Sequence, residues 1–379
     1  MAITATINVK DQDLLISLQS FCTAILTQED IRAILVPQRQ PMKSMAMPTL
    51  VTAPDQLDGI DPLSPAFPMN GAKALAKLTR KPSGGKIAAL LRPCEIRAFI
   101  ELVKLKQART EDVVLIGIDC LGALRNTDYF RFAGNDAAAA TQRFYEGMLV
   151  GKEAALDGVE LASACKSCEH SIPDAADIAL ALRGVDIGTG ILAQAQSPAG
   201  EALLAQLNLP AAEVPKARED ALARLLEVRT ASRDQMFAET AAATDSVEKL
   251  SNYMANCVNC YNCRVACPVC YCRECVFSTD VFEHEPRQYL NWAGRKGAVK
   301  IPTDTVFFHL TRMAHMAASC VGCGQCSNAC PNDIPVMELF RTVAHGVQKS
   351  FEYEPGRDVQ EAPPLAIFRE DEFGEVVGL

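Results

Sequence analysis

The sequence has few aromatic residues, no long apolar run and no excess of positive charge. A membrane-spanning helix needs about 20 consecutive apolar residues, and no such run is present. The N-terminus also lacks the basic start and apolar stretch of a secretory signal. The net charge of −9 argues against a nucleic-acid-binding protein, which would usually be basic. These absences predict a cytoplasmic protein that neither crosses a membrane nor binds nucleic acid.

Cysteine, by contrast, is abundant, with 16 in 379 residues. Disulfides do not persist in a reducing compartment, where clustered thiols indicate metal ligands or catalytic groups. Eleven of the cysteines lie between Cys257 and Cys330, and the other five lie within the first 168 residues. This uneven distribution predicts two parts with different chemistry.

The first part has the pattern of an α/β domain. Short apolar runs predict strands over 31–37, 86–93 and 112–119, and a helical pattern fills 95–107 between the last two. A strand, a helix and a strand joined by short links place the two strands side by side and parallel. A further strand over 189–197 precedes a helix whose first turn contains Pro198. We therefore expect a parallel or mixed sheet with flanking helices.

The chain is predicted to have four segments. Residues 1–228 form the α/β domain, and residues 229–250 lie in a charged, cysteine-free helical linker. Residues 251–341 form a mainly α-helical domain with two metal clusters. Residues 342–379 form an acidic, proline-containing arm that is available to a partner subunit.

Two cysteine runs share the spacing C-x2-C-x2-C-x3-C-P. In this pattern three thiolates wrap around one cubane cluster, and the fourth cysteine, before proline, points to the other cluster. Set 1 is therefore predicted to be Cys257, Cys260, Cys263 and Cys330. Set 2 is predicted to be Cys320, Cys323, Cys326 and Cys267. Zinc sites usually come as separated C-x2-C pairs, so the duplicated pattern favours two 4Fe-4S clusters.

The gap between the two runs is long and has a helical pattern. It resembles the α-helical ferredoxin arrangement of succinate-dehydrogenase-like and heterodisulfide-reductase-like iron–sulfur subunits. Three further cysteines follow the first run, either as additional metal ligands or as buried thiols beside the clusters, and we favour buried thiols. They are Cys270, Cys272 and Cys275. Cys22 lies on an apolar helical face and is predicted to be a core residue.

A third thiol site is predicted in the first part. Cys94 follows one strand and starts a helix after Pro93, and Cys120 ends the next strand. Because parallel strands end at the same edge of a sheet, where ligand sites of open α/β sheets lie, both thiols should meet there. The motif "CKSC" adds Cys165 and Cys168. We call these four cysteines set 3. Since zinc also accepts four thiolates, the residues alone leave zinc and a 4Fe-4S cluster open.

Three motifs resemble the coenzyme F-420 hydrogenase/dehydrogenase beta-subunit family. They are "LLRPCEIRAFIEL", "IGIDCLGA" and "CKSCEHSIPDAADIALALRGVDIGTGILAQAQSPAGEALL", and the match covers roughly residues 31 to 209. With its added dicluster region, the chain resembles formate dehydrogenase beta subunits. The resemblance implies that set 3 holds a third 4Fe-4S cluster and that the chain binds FAD.

The resemblance implies an oxidoreductase subunit that works within a complex. A flavin would exchange a hydride with a soluble carrier, either coenzyme F-420 or NAD(P)H, because flavin can split two electrons into single ones. The clusters would pass those electrons to a catalytic partner such as a formate dehydrogenase, hydrogenase or heterodisulfide-reductase-like subunit. The alternative is a flavin-free iron–sulfur wiring subunit with no catalytic site of its own.

The flavin contacts have no strong motif, since G-x-G-x-x-G is missing. Cations and polar residues near strand ends give the candidates Arg39, Lys43, Asn70, Gly71, Lys73 and Arg92. The lysines among them are alternatively plain surface residues. The glycine-containing stretch 185–190 is predicted to be a turn between strands. His309 and His315 either hydrogen-bond near a cluster or serve packing and the surface.

Overall fold

A mixed seven-stranded sheet is the centre of the N-terminal part. The computed structural model describes residues 3–10, 13–40, 45–151, 158–272, 275–278, 285–296 and 305–366. The strands are β1 (Thr4–Asn8), β2 (Ile31–Arg39), β3 (Ala46–Val51), β4 (Lys86–Leu91), β5 (Val113–Ile118), β6 (Ile178–Ala181) and β7 (Gly190–Ala195). Their order is β1-β7-β6-β5-β4-β2-β3.

The four central strands, β2, β4, β5 and β6, are parallel neighbours, and the outer strands pair antiparallel. Strands β4 and β5 are nearly continuous apolar runs because both faces of the sheet are covered. The predicted strands over 31–37, 86–93 and 112–119 are confirmed, and the predicted parallel pair is β4 with β5.

Seven helices accompany the sheet within the described residues. They are α1 (Leu14–Leu26), α2 (Ala72–Leu78), α3 (Pro93–Lys104), α4 (Asn126–Ala133), α5 (Ala137–Leu149), α6 (Ser163–Lys166) and α7 (Pro198–Gln206). Helix α1 begins where the Asp13 carboxylate accepts hydrogen bonds from the backbone N–H groups of Leu15 and Ile16. Cys22 is fully buried on α1, as predicted, and burial raises the pKa of its thiol to about 12.

The C-terminal part is mainly helical, as predicted. Its described helices are α8 (Lys216–Thr244), α9 (Val247–Tyr253), α10 (Asn262–Ala266), α11 (Pro286–Lys296), α12 (Thr305–Met316), α13 (Gln325–Asn328) and α14 (Val336–Ser350). Helix α8 crosses the predicted limit at residue 228, and α14 runs past residue 341, so these two limits do not coincide with helix ends. No helix among the described residues is long and apolar enough to span a membrane.

Two hydrophobic cores lie on opposite faces of the sheet. One core packs β-strand side chains against α1, α4, α5 and α7. The other contains Phe99 of α3, Phe308 of α12 and Phe340 of α14 in a single buried cluster. The helical C-terminal part therefore packs directly on the α/β part through a shared core.

The described end of the chain packs on α3. The hydroxyl of Tyr353 donates to Glu101 Oε1 at 2.6 Å, and the backbone N–H of Gly356 donates to the same oxygen at 2.8 Å. Lys104 lies 3.1 Å from Glu101 and stands over the Tyr353 ring. Residues 351–366 are thus fastened to their own chain, whereas the sequence pointed to an arm available to a partner. Residues 367–379 lie outside the described residues.

Candidate metal centres

The four thiols of set 3 line one cavity at the carboxyl edge of the sheet. Cys94 lies in the first turn of α3, directly after β4, and Cys120 follows β5. Helix α6 supplies Cys165, and Cys168 lies in the loop after it. The N–H of Cys120 donates to the Ser171 carbonyl at 2.8 Å, which ties the two loops together. The structure therefore brings together the four cysteines that the sequence selected.

The start of α3 is fixed by buried hydrogen bonds. Pro93 opens the helix, where its missing N–H costs nothing. The Glu95 carboxylate accepts from the N–H of Arg92 at 2.9 Å and from the N–H of Gly71 at 2.6 Å. Burial raises the pKa of this carboxyl. These contacts hold Cys94 in place at the edge of the sheet.

Burial dominates the acidity of the set 3 thiols. It raises the pKa of Cys165 to about 12, and the neighbouring thiols of Cys120 and Cys168 add to the rise. The pKa of Cys94 is also raised by burial and by nearby thiols. Such thiols ionise at neutral pH only together with a bound cation. The Ala123 N–H donates to the Cys165 sulfur at 3.3 Å, a contact that stabilises a metal-bound thiolate. The donor set therefore fits a metal cluster.

Set 2 lines a second cavity. Its walls include three cysteines of the second run together with Cys267, the fourth cysteine of the first run. This is the exchange that the proline-marked spacing predicts. Burial raises the pKa of the Cys320 and Cys323 thiols, and the nearby backbone N–H groups of Gly322 and Gln325 act against that rise. Thiols beside backbone N–H groups again fit a cluster site.

Set 1 gathers around Cys263. Burial raises the pKa of its thiol, and the nearby thiols of Cys257, Cys260 and Cys330 raise it further. Cys260 is exposed, so set 1 reaches the protein surface. His309 is buried, and its Nε2 lies 3.4 Å from the Cys257 sulfur. Burial lowers the pKa of His309 to about 4, which keeps its ring neutral near pH 7.

The three sets lie in a row. Cys323 of set 2 lines its own cavity and also the cavity of set 3. The charge of Cys323 also acts on the Cys94 thiol. Helices α10 and α13, which belong to the two cysteine runs, pack against each other and bring set 1 beside set 2. In space, set 2 is therefore next to both set 1 and set 3.

The family comparison identifies the C-terminal cysteine region. Residues 253–334 match the family described as a 4Fe-4S dicluster domain. This region is a 4Fe-4S dicluster domain. The match confirms the prediction of 4Fe-4S clusters in this part of the chain, while the assignment of individual ligands stays a prediction.

Two curated relatives match most of the chain. The F420-dependent formate dehydrogenase subunit beta of Methanocaldococcus jannaschii is 28% identical over 345 residues, which cover 84% of this chain and 85% of that protein. The F420-dependent formate dehydrogenase 1 subunit beta of Methanococcus maripaludis is 27% identical over 349 residues, covering 84% of each. The resemblance to formate dehydrogenase beta subunits is confirmed, and with it the prediction of an oxidoreductase subunit.

A solved chain in the xenon-derivatised F420-reducing [NiFe] hydrogenase complex of Methanosarcina barkeri also matches. It has 13% sequence identity and a TM-score of 0.46, covering 65% of this chain and 94% of that chain. At this score the likeness supports no conclusion.

The spacing of the thiols differs from that of a single-ion site. Among the described residues, no three histidine, cysteine, aspartate or glutamate side chains are placed to hold one metal ion. A zinc ion would need four thiolates at about 2.3 Å from one point. The thiols of sets 2 and 3 line two cavities.

Buried arginines accompany the thiol sets, and sequence reasoning missed two of them. Arg341 on α14 lies near Cys168 and Cys320, donates to Ser167 Oγ at 3.1 Å and pairs with Glu169. Arg312 on α12 faces sets 1 and 2. Each is an isolated cation in a helix, far in sequence from the cysteines that it faces, so no local pattern signals its role.

Several of the residues predicted to contact a flavin bond other groups of the same chain. Arg39 lies 3.4 Å from Asp61, and Lys73 donates to the Val265 carbonyl of the dicluster domain at 2.8 Å. The N–H of Gly71 bonds Glu95, as described above. Lys43 lies outside the described residues.

The last two candidates lie beside the thiols. Arg92 lines the set 3 cavity, and its Nη2 donates to the carbonyls of Ser64 and Ala66. Asn70 is buried near the Cys323 thiol. The flavin contacts stay a prediction.

The remaining candidate groups differ in exposure. Cys270 and Cys275 pack against the second core, whereas Cys272 is exposed. Burial raises the pKa of the Cys270 thiol to about 11. His315 is exposed on α12, unlike His309. The contact of His309 with Cys257 is the one expected of a residue that hydrogen-bonds near a cluster.

Proposed function

We propose that the chain is the iron–sulfur relay subunit of a formate dehydrogenase-like complex that uses coenzyme F420 as its hydride carrier. The observation that carries the proposal is the row of three thiol sets, in which Cys323 lines the cavities of both set 2 and set 3. When bound, each 4Fe-4S cluster takes up and gives back one electron. Three such sites in a row suit a relay.

The residues of the chain hold and shield these sites. The cysteines of sets 2 and 3 are half-buried, and the backbone N–H of Ala123 donates to the Cys165 sulfur. Set 1 differs because Cys260 is exposed. Since electrons pass between proteins where a site lies near the surface, we propose set 1 as the end of the relay that faces another subunit.

The names of the two relatives support formate dehydrogenase as the catalytic partner and F420 as the carrier. NAD(P)H as the carrier, and a hydrogenase or heterodisulfide-reductase-like partner, are the alternatives. A second function, a flavin-free wiring subunit, is favoured by one observation: Arg39, Gly71, Lys73 and Arg92 already bond other groups of the chain. FAD in this chain therefore rests on the family resemblance.

The experiment is anaerobic purification of the native complex through this subunit. Formate-dependent reduction of F420, with formate dehydrogenase subunits co-purifying, is expected. Reduction of NAD(P)+ but not of F420 would overturn F420 as the carrier. A complex without a formate-oxidising subunit would overturn formate dehydrogenase as the partner. Acid denaturation of the isolated subunit, followed by a flavin assay, separates the two functions. Released FAD supports a flavoprotein, whereas a full iron content with no flavin supports the wiring subunit.

The third cluster has a separate test. Cys165→Ser in set 3 should lower the iron content from about twelve to about eight per chain, because one four-iron cluster is lost. Cys22→Ala, at a buried cysteine outside the three sets, is the matched control and should keep all the iron. Unchanged iron in Cys165→Ser would show that set 3 holds no cluster.

A further inference from the structure

Among the residues that the structure describes, Arg312 is a buried cation without a carboxylate partner. Its side chain is 3% exposed. Nη2 donates to the Cys263 carbonyl at 3.3 Å, and the guanidinium stands 4.6 Å from the Phe340 ring centre. Within the described residues, Nε and Nη1 have no hydrogen-bond partner and no carboxylate pairs with the group.

Two other buried arginines have a carboxylate partner. Arg218 is paired with Asp119 at 2.6 Å, and Arg341 is paired with Glu169. An arginine stays charged in proteins, and a buried charge without a counter-charge is strongly unfavourable. The negative charge that balances Arg312 must therefore come from another kind of group.

The groups that surround Arg312 are thiols of both dicluster sites. Its charge acts on Cys263 of set 1 and on Cys267 and Cys326 of set 2. Arg312 also lines the set 2 cavity. A 4Fe-4S cluster with four thiolate ligands is an anion, and reduction adds one more negative charge. A fixed positive charge beside it therefore favours the reduced form.

We propose that Arg312 is a positioning residue that supplies one buried positive charge to both sites of the dicluster domain and thereby raises both reduction potentials. This inference rests on the ligand assignment in the proposed function. A charge shared between two sites shifts both potentials in the same direction, so it changes the driving force between them less than it changes either potential. Arg341 differs from Arg312 because Glu169 pairs with it.

The test is an anaerobic redox titration of the full-length chain, followed by electron paramagnetic resonance, with Arg312→Met and Arg312→Gln. Both variants remove the charge, and glutamine keeps an N–H donor for the Cys263 carbonyl. At the midpoint of the unchanged protein, the ratio of reduced to oxidised dicluster sites should fall about tenfold, which is ~59 mV for a one-electron couple. Arg312→Lys keeps the charge and should shift much less.

The outcomes separate charge from packing. Equal shifts in the lysine and the neutral variants, no shift in any variant, or a shift of one site only would overturn the inference. If the neutral variants bind no iron while the lysine variant does, the charge requirement holds. If all three lose iron, Arg312 serves packing and the inference fails. Arg143→Met, at an arginine over Phe132 away from the thiol sets, should change nothing. An unchanged protein without two dicluster signals would instead refute the ligand assignment itself.

Discussion

Gly324 lies where the second cysteine run packs closely against the segment that carries Cys165 of set 3. It follows Cys323 in the dicluster domain and has a φ of +78°. A Cβ added to Gly324 would lie 2.5 Å from the Cβ of Ala164, the residue before Cys165. Carbon atoms pack at about 3.5–4.0 Å, so Gly324→Ala must push the two segments apart by about 1 Å.

The expected loss of stability has two parts. An alanine in the left-handed region costs about 1–2 kcal/mol, and overpacking of a tight contact costs about 1–3 kcal/mol. The free energy of unfolding should therefore fall by about 2–5 kcal/mol in Gly324→Ala. The double variant Gly324→Ala/Ala164→Gly removes the clash but keeps the backbone strain, so it should recover the overpacking part.

The assay is anaerobic urea unfolding of the cluster-loaded protein, followed by circular dichroism, together with magnetic resonance of the reduced protein. The signal from interaction between the set 2 and set 3 sites should weaken in Gly324→Ala and return in the double variant. Gly346→Ala on α14, where an added Cβ meets nothing within 4 Å, is the control and should stabilise slightly. A Gly324→Ala variant as stable as the unchanged chain would refute the contact.

Three further predictions concern groups outside the cluster sites. Burial raises the pKa of Asp61 to about 6, above its unfolded value, so the protein should lose up to about 3 kcal/mol of stability as pH rises from about 4 to 6. Asp61→Asn should remove this part of the slope in thermal unfolding measured across that range, and an unchanged slope would contradict the assignment. Lys104→Met leaves the buried Glu101 carboxylate without its cation, at a cost of about 3–5 kcal/mol. Limited proteolysis should then cut residues 351–366 faster, and equal cutting rates would argue against this anchor. Cys270→Ser should leave the iron content unchanged if Cys270 is a buried thiol and not a ligand, whereas a loss of about four irons per chain would make it a ligand.

Local patterns predicted the parts of the fold that local forces decide. The apolar runs of β4 and β5 and the helical run of α3 between them are contiguous in sequence, so their parallel pairing followed from chain connectivity. The duplicated cysteine spacing likewise predicted that Cys267 would join the second set, and it lines that cavity. Set 3 was found because its first two cysteines, Cys94 and Cys120, closely follow neighbouring parallel strands.

The rest depends on contacts between distant parts of the chain. Arg312 and Gly324 have ordinary sequence surroundings, and their importance appears only when α12 and α6 lie beside the thiol sets. The charged tail suggested an arm for a partner, but the buried pair Glu101 and Lys104 gives Tyr353 a site on α3. The composition of the tail cannot show that it packs against two buried charged residues about 250 positions earlier in the chain. The sequence also could not show which groups the flavin candidates contact, because a cation near a strand end can bond several groups of its own chain.

We propose that the three thiol sets hold three 4Fe-4S clusters. The most direct measurement is the iron and acid-labile sulfide content of the anaerobically prepared full-length chain. We expect about twelve irons and about twelve sulfides per chain, four of each per cluster. A preparation with about eight of each would remove set 3 from the relay. A colourless protein that contains zinc in place of iron would show that none of the three sets holds a 4Fe-4S cluster.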